Sequence, residues 1–145
     1  KMTHAMPYIE IGDDCSIYCY EATKACRRMS QLAIDRRWWE GARIYSDDGT
    51  YLSAQPVPPI APTSLLKKIA GAFYNPIRNV EFEYNPAGSY QLDELKARVA
   101  DCVDKDDDIL TQRMEPKEIK ARLAKARSFH DVYILLRRMG IADDG

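Results

Sequence analysis

The sequence predicts an α+β fold: an antiparallel sheet of about five strands with helices packed on one face and a helical C-terminal half. Three patterns lead to this prediction. Short β-prone runs separated by turn residues occupy much of the first half, and residues 79–84 alternate strictly between apolar and polar side chains. After residue 91, apolar positions recur every three or four residues, which is the spacing of amphipathic helices.

Length and composition favour one globular domain. The chain has 145 residues, so a single domain spanning positions 1–145 can bury a core of its own. Hydrophobic residues make up 46% and charged residues 30%, which excludes a wholly disordered chain. The net charge of −1 excludes the basic field that nonspecific nucleic-acid binding requires. No membrane span or signal-peptide core is visible, so we expect a cytoplasmic protein that binds neither membrane nor nucleic acid.

The first elements are predicted to be a hairpin and a helix. Residues 6–11 and 16–20 are β-prone runs, and the Gly-Asp-Asp sequence at 12–14 favours a turn between them. Over residues 21–34, small and apolar side chains recur at spacings of three and four. That spacing predicts a helix.

A second hairpin is predicted around Gly49. Residues 38–45 and 50–54 are β-prone, and the Asp48-Gly49 pair between them is a strong local turn signal because Gly accepts a positive φ. In an extended segment Trp38 and Trp39 point to opposite faces, so we expect one indole to be buried and the other to be partly exposed. The exposed indole could anchor a partner, or another segment could cover it.

The middle of the chain is predicted to be a connector, a helix and a strand. Residues 55–62 contain four prolines and form an extended connector inside the domain. Thr63 or Ser64 can cap a helix that ends near residue 74. The alternation of residues 79–84 predicts a strand, and residues 85–89 are expected to form the turn that ends it.

Three helices are predicted in the C-terminal half. The first begins near residue 91 and runs to the acidic stretch that follows Cys102. The second covers residues 116–126, with a proline in its first turn. Ser128 caps the third, and Gly140 ends it.

The four cysteines are predicted to be reduced, structural thiols. In a chain of this size without a secretion signal, free thiols are more common than a disulfide framework. The spacing of the first three matches no common zinc site, and Cys102 belongs to a helical stripe. The residues concerned are Cys15, Cys19, Cys26 and Cys102.

An acidic stretch at residues 103–109 is the feature most suggestive of function. Several carboxylates follow a helix C-terminus, which is already negatively polarised, so their position there has an electrostatic cost. Asp107 or Asp108 could cap a following helix, which explains the later carboxylates but not the earlier ones. The alternative is an acidic surface for a basic partner, extended by an exposed aromatic. The predicted partner-binding residues are Asp101, Asp104, Asp106, Asp107, Asp108, Glu115, Trp38 and Trp39.

The same stretch imitates a calcium-binding loop but lacks its turn. Asp104, Asp106, Asp108 and Glu115 have the ligand spacing of such a loop. Ile109, however, occupies the position at which a sharp turn requires Gly. We therefore predict no metal site and no cofactor.

Catalytic signatures are absent from the sequence. The only histidines are His4 and His130, and no nucleophile-elbow, zinc-protease, P-loop or dinucleotide motif is present. Glu81 and Glu83 have the spacing of a solvated strand face as well as that of paired catalytic carboxylates. We predict no catalytic residue. The enzymatic alternative is a small enzyme that uses His130 with a cysteine or a carboxylate.

Residues 92–96, 102–108 and 126–132 together resemble a family of bacterial proteins. A helix ending in a Lys-Asp-rich run and a later Ser-Phe helix start are similar to the C-terminal part of small immunity proteins of contact-dependent inhibition and related polymorphic-toxin systems. The resemblance covers the last third of the chain. It implies a monomer that forms a one-to-one complex with a cognate basic toxin domain, often a nuclease, and blocks its active site or substrate path. A structural or regulatory interaction module with a merely solvated acidic stretch is the remaining alternative.

Overall fold

The computed structural model describes residues 7–23, 25–61, 75–105 and 110–141. Strands and helices alternate irregularly along these ranges. In chain order the elements are β1 (Tyr8–Ile11), β2 (Ile17–Tyr20), β3 (Cys26–Ser30), α1 (Gln31–Asp35), a 3₁₀ turn (Trp38–Glu40), β4 (Arg43–Ser46), β5 (Thr50–Pro56), β6 (Ile77–Ser89), α2 (Leu92–Asp104), α3 (Pro116–Lys125) and α4 (Phe129–Arg138). None of the described helices is both long and apolar enough to cross a bilayer.

The strands form one curled antiparallel sheet in the order β2-β1-β4-β5-β6-β3. The predicted α+β class is confirmed, although the sheet has six strands where about five were predicted. Both predicted hairpins are present: Tyr8 pairs with Tyr20 in the first, and Tyr45 pairs with Tyr51 in the second. The curl places the edge strand β3 across the inner face from β1 and β2.

Each face of the sheet has its own hydrophobic core. The outer face packs against α2, α3 and α4, but the prediction of helices on one face only does not hold, because α1 lies on the other. Its buried residues include Ile9, Cys19, Tyr45, Leu95, Val99, Leu123, Val132 and Leu136. The inner face is closed by α1 and the 3₁₀ turn, and it buries Tyr8, Tyr20, Met29, Ile34, Trp39, Ile44, Val80 and Phe82. Alternating side chains of the same strands therefore serve two different cores.

Local sequence signals mark the start of α2 and both ends of α4. At the start of α2, Gln91 and Glu94 form a reciprocal capping box. Ser128 Oγ accepts a hydrogen bond from the Asp131 backbone N–H at 3.1 Å, which caps α4. Gly140 has a φ of +93° just beyond the last turn, a conformation that favours Gly.

The helix predicted over residues 21–34 is wrong. β3 (Cys26–Ser30) occupies its centre, and only the five-residue α1 follows. β3 is paired with β6 from Cys26 opposite Glu81 to Ser30 opposite Ile77. The residues at the helical spacing are mostly small, so helix burial offers little, and pairing with a long neighbouring strand outweighs local periodicity.

The predicted turn at residues 85–89 is also wrong, because β6 continues through it to Ser89. The register against β5 shifts between Tyr51 and Leu52, beside Pro86. Such an irregularity accommodates a proline, which has no N–H to donate to the sheet.

In the predicted connector, the first two residues belong to β5, and residues 57–61 form neither helix nor strand. The helix predicted from Thr63 or Ser64 lies outside the described residues.

Cys15 and Cys102 form a disulfide, so the prediction of four free thiols is wrong for this pair. The Cα atoms are 5.1 Å apart, and the two residues are separated by 87 positions in the sequence. The bond joins the β1–β2 turn to α2, a proximity that only the tertiary fold creates. Cys19 is a buried thiol, as expected, and burial raises its pKa to about 12, whereas Cys26 is exposed.

Candidate functional site

The β1–β2 turn brings together residues from three distant segments. Arg98 of α2 donates from Nη2 to the carbonyl oxygen of Gly12 at 2.9 Å, and the disulfide lies beside this contact. On the other side of the turn, Trp38 Nε1 donates to Asp14 Oδ1 at 3.2 Å. A Cβ at Gly12 would lie 2.7 Å from the Trp38 ring, so this approach requires Gly. Trp38 and Arg98 of α2 therefore both contact the same turn.

We call Asp13, Asp14, Trp38 and Asp101 the hairpin-end surface. Asp13 and Asp14 are exposed, and Trp38 and Asp101 are partly exposed. Burial raises the pKa of Asp14, but hydrogen bonds from Ser16 and Trp38 outweigh it and hold that pKa below its usual value. Asp13 makes no hydrogen bond or ion pair with the described part of the chain, so its charge is available to a partner.

A polar cavity of about 320 Å³ opens beside this surface. Its walls carry two guanidinium groups and one carboxylate. The lining residues are Ile11, Asp13, Gly41, Arg43, Tyr45 and Arg98. A side chain at position 41 would overlap the Asp13 carboxylate, so Gly41 makes room for that acid. The Arg43 guanidinium carbon lies 4.5 Å from the centre of the Tyr51 ring, which holds it against the sheet.

The carboxylates at the end of α2 are neutralised within the chain. Asp101 accepts from Arg98 Nη1 at 3.0 Å and from Lys105 Nζ at 3.1 Å. The hydrogen bond from Lys105 contributes most to a pKa of Asp101 below its usual value. Asp104 is paired with Lys120 of α3. These bases compensate the unfavourable position of the carboxylates at a helix C-terminus, which the sequence pattern alone left unexplained.

The other predicted partner-binding residues divide into three groups. Asp106, Asp107 and Asp108 lie outside the described residues. Glu115 is exposed at the N-cap of α3, and its side chain makes no capping hydrogen bond.

The tryptophans form the third group, in the 3₁₀ turn and not in an extended strand. Trp39 is 2% exposed and packs edge-on against Phe82 with 6.0 Å between ring centroids. Trp38 is half-buried, so the prediction of one buried and one partly exposed indole is confirmed. Only Trp38 is therefore positioned to touch a partner.

A buried polar cluster on the inner face is fully paired and therefore structural. Glu10 is completely buried, and its carboxylate accepts from Arg27 Nη1 and Nη2, each at 2.9 Å. The Tyr20 hydroxyl donates to Glu10 at 2.9 Å and accepts from Arg27 at 2.7 Å. Burial and the Glu10 charge raise the pKa of Tyr20. Burial lowers the pKa of Arg27, but the Glu10 carboxylate outweighs it and the net shift is upward. Both shifts favour the protonated Tyr20 hydroxyl and the charged Arg27, the forms that pair with Glu10.

Catalytic or metal-binding geometry does not emerge from the described residues. His130 is exposed in the first turn of α4. Within the described ranges no group of three or more His, Cys, Asp or Glu side chains could hold a metal ion. Two positions of the calcium-like pattern, Asp106 and Asp108, lie outside those ranges.

Sequence patterns did not identify Asp13, Asp14, Arg43 or Arg98 as neighbours. Asp13 and Asp14 were assigned to a turn, and neither arginine was predicted to lie beside it. Only the Gly-Asp-Asp sequence signalled a tight acidic turn, and nothing in it indicates which segments the turn touches. Comparison with protein-family models, with curated proteins and with solved structures finds no match for this chain.

Proposed function

We propose that this chain is an immunity protein that binds a cognate basic toxin domain, a nuclease, in a one-to-one complex inside the producing cell. The complex occludes the active site or the substrate path of the toxin and involves no turnover, cofactor or metal. The observation that supports this proposal best is the hairpin-end surface, where two exposed carboxylates lie beside a partly exposed indole. The family resemblance of the last third supplies the class of partner.

The chemistry of this surface suits a basic partner. Asp13 lacks a partner within the described part of the chain, and the hydrogen bonds to Asp14 favour its charged form. Carboxylates at the rim of an interface accelerate the encounter with a positively charged cleft and fix its orientation. Trp38 is held by Asp14 and packs edge-on against Tyr18 with 6.0 Å between ring centroids. A rigid, partly exposed aromatic loses little conformational entropy on binding, which suits an anchor.

The acidic stretch has a secondary role in this proposal. Asp104 already pairs with Lys120, so it contributes to binding only by exchanging that pair for one with the partner. Exposed ion pairs are weak, of the order of 0–1 kcal/mol, so such an exchange is energetically cheap. Asp106, Asp107, Asp108 and Glu115 extend the predicted surface along the chain.

The test is coexpression with the toxin domain encoded immediately upstream, followed by copurification and titration calorimetry. We expect a one-to-one complex that protects cells from the toxin. The double variant Asp13→Asn, Asp14→Asn should bind about tenfold more weakly, a loss of ~1.4 kcal/mol, and should show a smaller dependence on salt. Asn retains the oxygen that Ser16 and Trp38 require as an acceptor, so the turn should survive.

The matched control is Glu81→Gln with Glu83→Gln, which removes two exposed charges from β6. This pair should bind like the unchanged protein. A third variant changes Asp104, Asp106, Asp107 and Asp108 together to Asn, and its affinity shows whether the acidic stretch also contributes. The absence of any complex would overturn the proposed function. An unchanged affinity and salt dependence of the hairpin-end variant would remove that surface from the interface.

A further inference from the structure

A second surface, between α3 and α4, has the opposite charge. It is a groove of about 180 Å³ with an aliphatic floor and a cationic rim. Ala126, Ile134 and Leu135 form the floor, and Arg122, Lys125 and Arg138 form the rim. We call these six residues the basic groove. Asp131 also lines it, and its Oδ2 accepts from the Arg127 backbone N–H at 2.9 Å.

The segment that contains this groove carries an excess of positive charge. Residues 110–141 contain eight Lys and Arg residues against three Asp and Glu residues, whereas the whole chain has a net charge of −1. Within the described residues, Lys125 and Arg138 make no ion pair. Arg122 pairs with Glu118 at 2.8 Å, but both side chains are exposed, and such a pair is readily exchanged.

Among the described residues, part of the floor of the groove is exposed. Ile134, on α4, contributes to this floor and is 37% exposed. The groove is open to solvent, and its volume is similar to the roughly 150 Å³ that one benzene-sized apolar group occupies. The groove can therefore receive a single large aliphatic side chain while the rim contacts neighbouring carboxylates.

We infer that the basic groove binds an acidic peptide segment that inserts one large aliphatic side chain between α3 and α4. A peptide fits better than a nucleic acid, because proteins that hold single strands stack bases on aromatic rings and this floor is aliphatic. An apolar anchor suits the aliphatic floor, and flanking carboxylates complement the charge of the rim. This site shares no residue with the hairpin-end surface and goes beyond the proposed function.

The experiment measures fluorescence anisotropy of a labelled, Glu-rich peptide with one central leucine, titrated with the full chain. A matched peptide has serine in place of leucine, and a third probe is a single-stranded oligonucleotide of equal charge. We expect the leucine peptide to bind at least about tenfold more tightly than the serine peptide, because a leucine is buried only in the former. The oligonucleotide should bind more weakly than the leucine peptide.

Substitutions locate the site. Lys125→Gln with Arg138→Gln should weaken binding of the leucine peptide several-fold, and Ile134→Ser should abolish its advantage over the serine peptide. Arg28→Gln with Lys117→Gln removes two exposed cations elsewhere and should change nothing. The Asp13→Asn, Asp14→Asn protein should bind the peptide unchanged.

Three results would overturn the inference. The first is equal affinity of the unchanged protein for the leucine and serine peptides. The second is a higher affinity for the oligonucleotide than for the leucine peptide. The third is an equal loss of affinity for the leucine peptide in the groove variant and in its control. The comparison of the two peptides uses the unchanged protein, so it tests the inference even if a groove variant fails to fold.

Discussion

At the scale of single residues, the buried Glu10–Arg27 pair explains how the edge strand β3 of a curled sheet is held to β1. Glu10 lies on β1 and Arg27 on β3, strands that are not neighbours in the sheet. The Arg27 side chain is 11% exposed and that of Glu10 is fully buried. Two charges removed from water are tolerated only when both are satisfied, and here each finds the other as well as the Tyr20 hydroxyl.

Removal of one partner should therefore be severe. We expect Arg27→Met to lower the free energy of unfolding by about 3–5 kcal/mol, because Glu10 is then buried without a counter-charge. The double variant Glu10→Leu, Arg27→Met should recover much of this loss. Urea unfolding followed by tryptophan fluorescence measures both. A cost below about 1 kcal/mol for the single variant would show that water reaches Glu10.

The Asp14 carboxylate gives a pH-dependent prediction at the same scale. Its folded-state pKa lies below the usual value of 3.8, so its charge stabilises the folded state above that pH. The stabilisation is lost as pH falls through the folded-state pKa. We expect Asp14→Asn to be less stable than the unchanged protein at about pH 7, and the difference to shrink as the pH falls below 3.8. A difference in unfolding free energy that stays the same as the pH falls would contradict this assignment.

At the scale of elements, the β1–β2 turn is fixed to α2 by a covalent bond and by hydrogen bonds. The Cys15–Cys102 bond closes a loop across 87 positions of sequence, and Arg98 bonds to Gly12 beside it. Long loops gain most from such closure because the cross-link restricts the unfolded chain. The cytoplasm keeps most thiols reduced, so the proposed function requires the turn to hold its position without the bond.

Two consequences can be measured on the oxidised and reduced protein. Reduction, or Cys15→Ser with Cys102→Ser, should lower the free energy of unfolding by about 2–4 kcal/mol. Toxin binding should persist, because the contacts of Arg98 and Trp38 still hold the turn. Cys26→Ser, which removes an exposed thiol, is the control and should leave stability unchanged. Loss of toxin binding on reduction would place the active protein in an oxidising compartment.

At the scale of the whole molecule, charge is unevenly distributed along the chain. The near-zero net charge conceals this distribution, because a basic α3–α4 region balances carboxylates elsewhere. The hairpin-end surface and the basic groove therefore favour partners of opposite charge. Salt weakens charge contacts at both surfaces, so ionic strength does not distinguish toxin binding from peptide binding. Variants of each surface do.

The C-terminal helices were predictable because their signals are local. Ser128 caps α4, Gly140 follows its last turn, and Pro116 lies in the first turn of α3. The apolar stripes of α2, α3 and α4 face one side of the sheet. Both hairpins were likewise predictable from short turns between β-prone runs. The strand β3 was not, because its reason for being extended is its pairing with β6, fifty residues away along the chain.

The sequence by itself determined the fold class, the two hairpins, the strand within β6 and the last three helices. Its local periodicities and caps suffice for these elements. Tertiary structure decided what surrounds the acidic residues: Lys105, Lys120 and Arg98 neutralise the end of α2, while Asp13 and Asp14 lie beside Trp38. Charge pairing depends on distances of a few ångströms between residues far apart in the chain, and no sequence pattern records those distances.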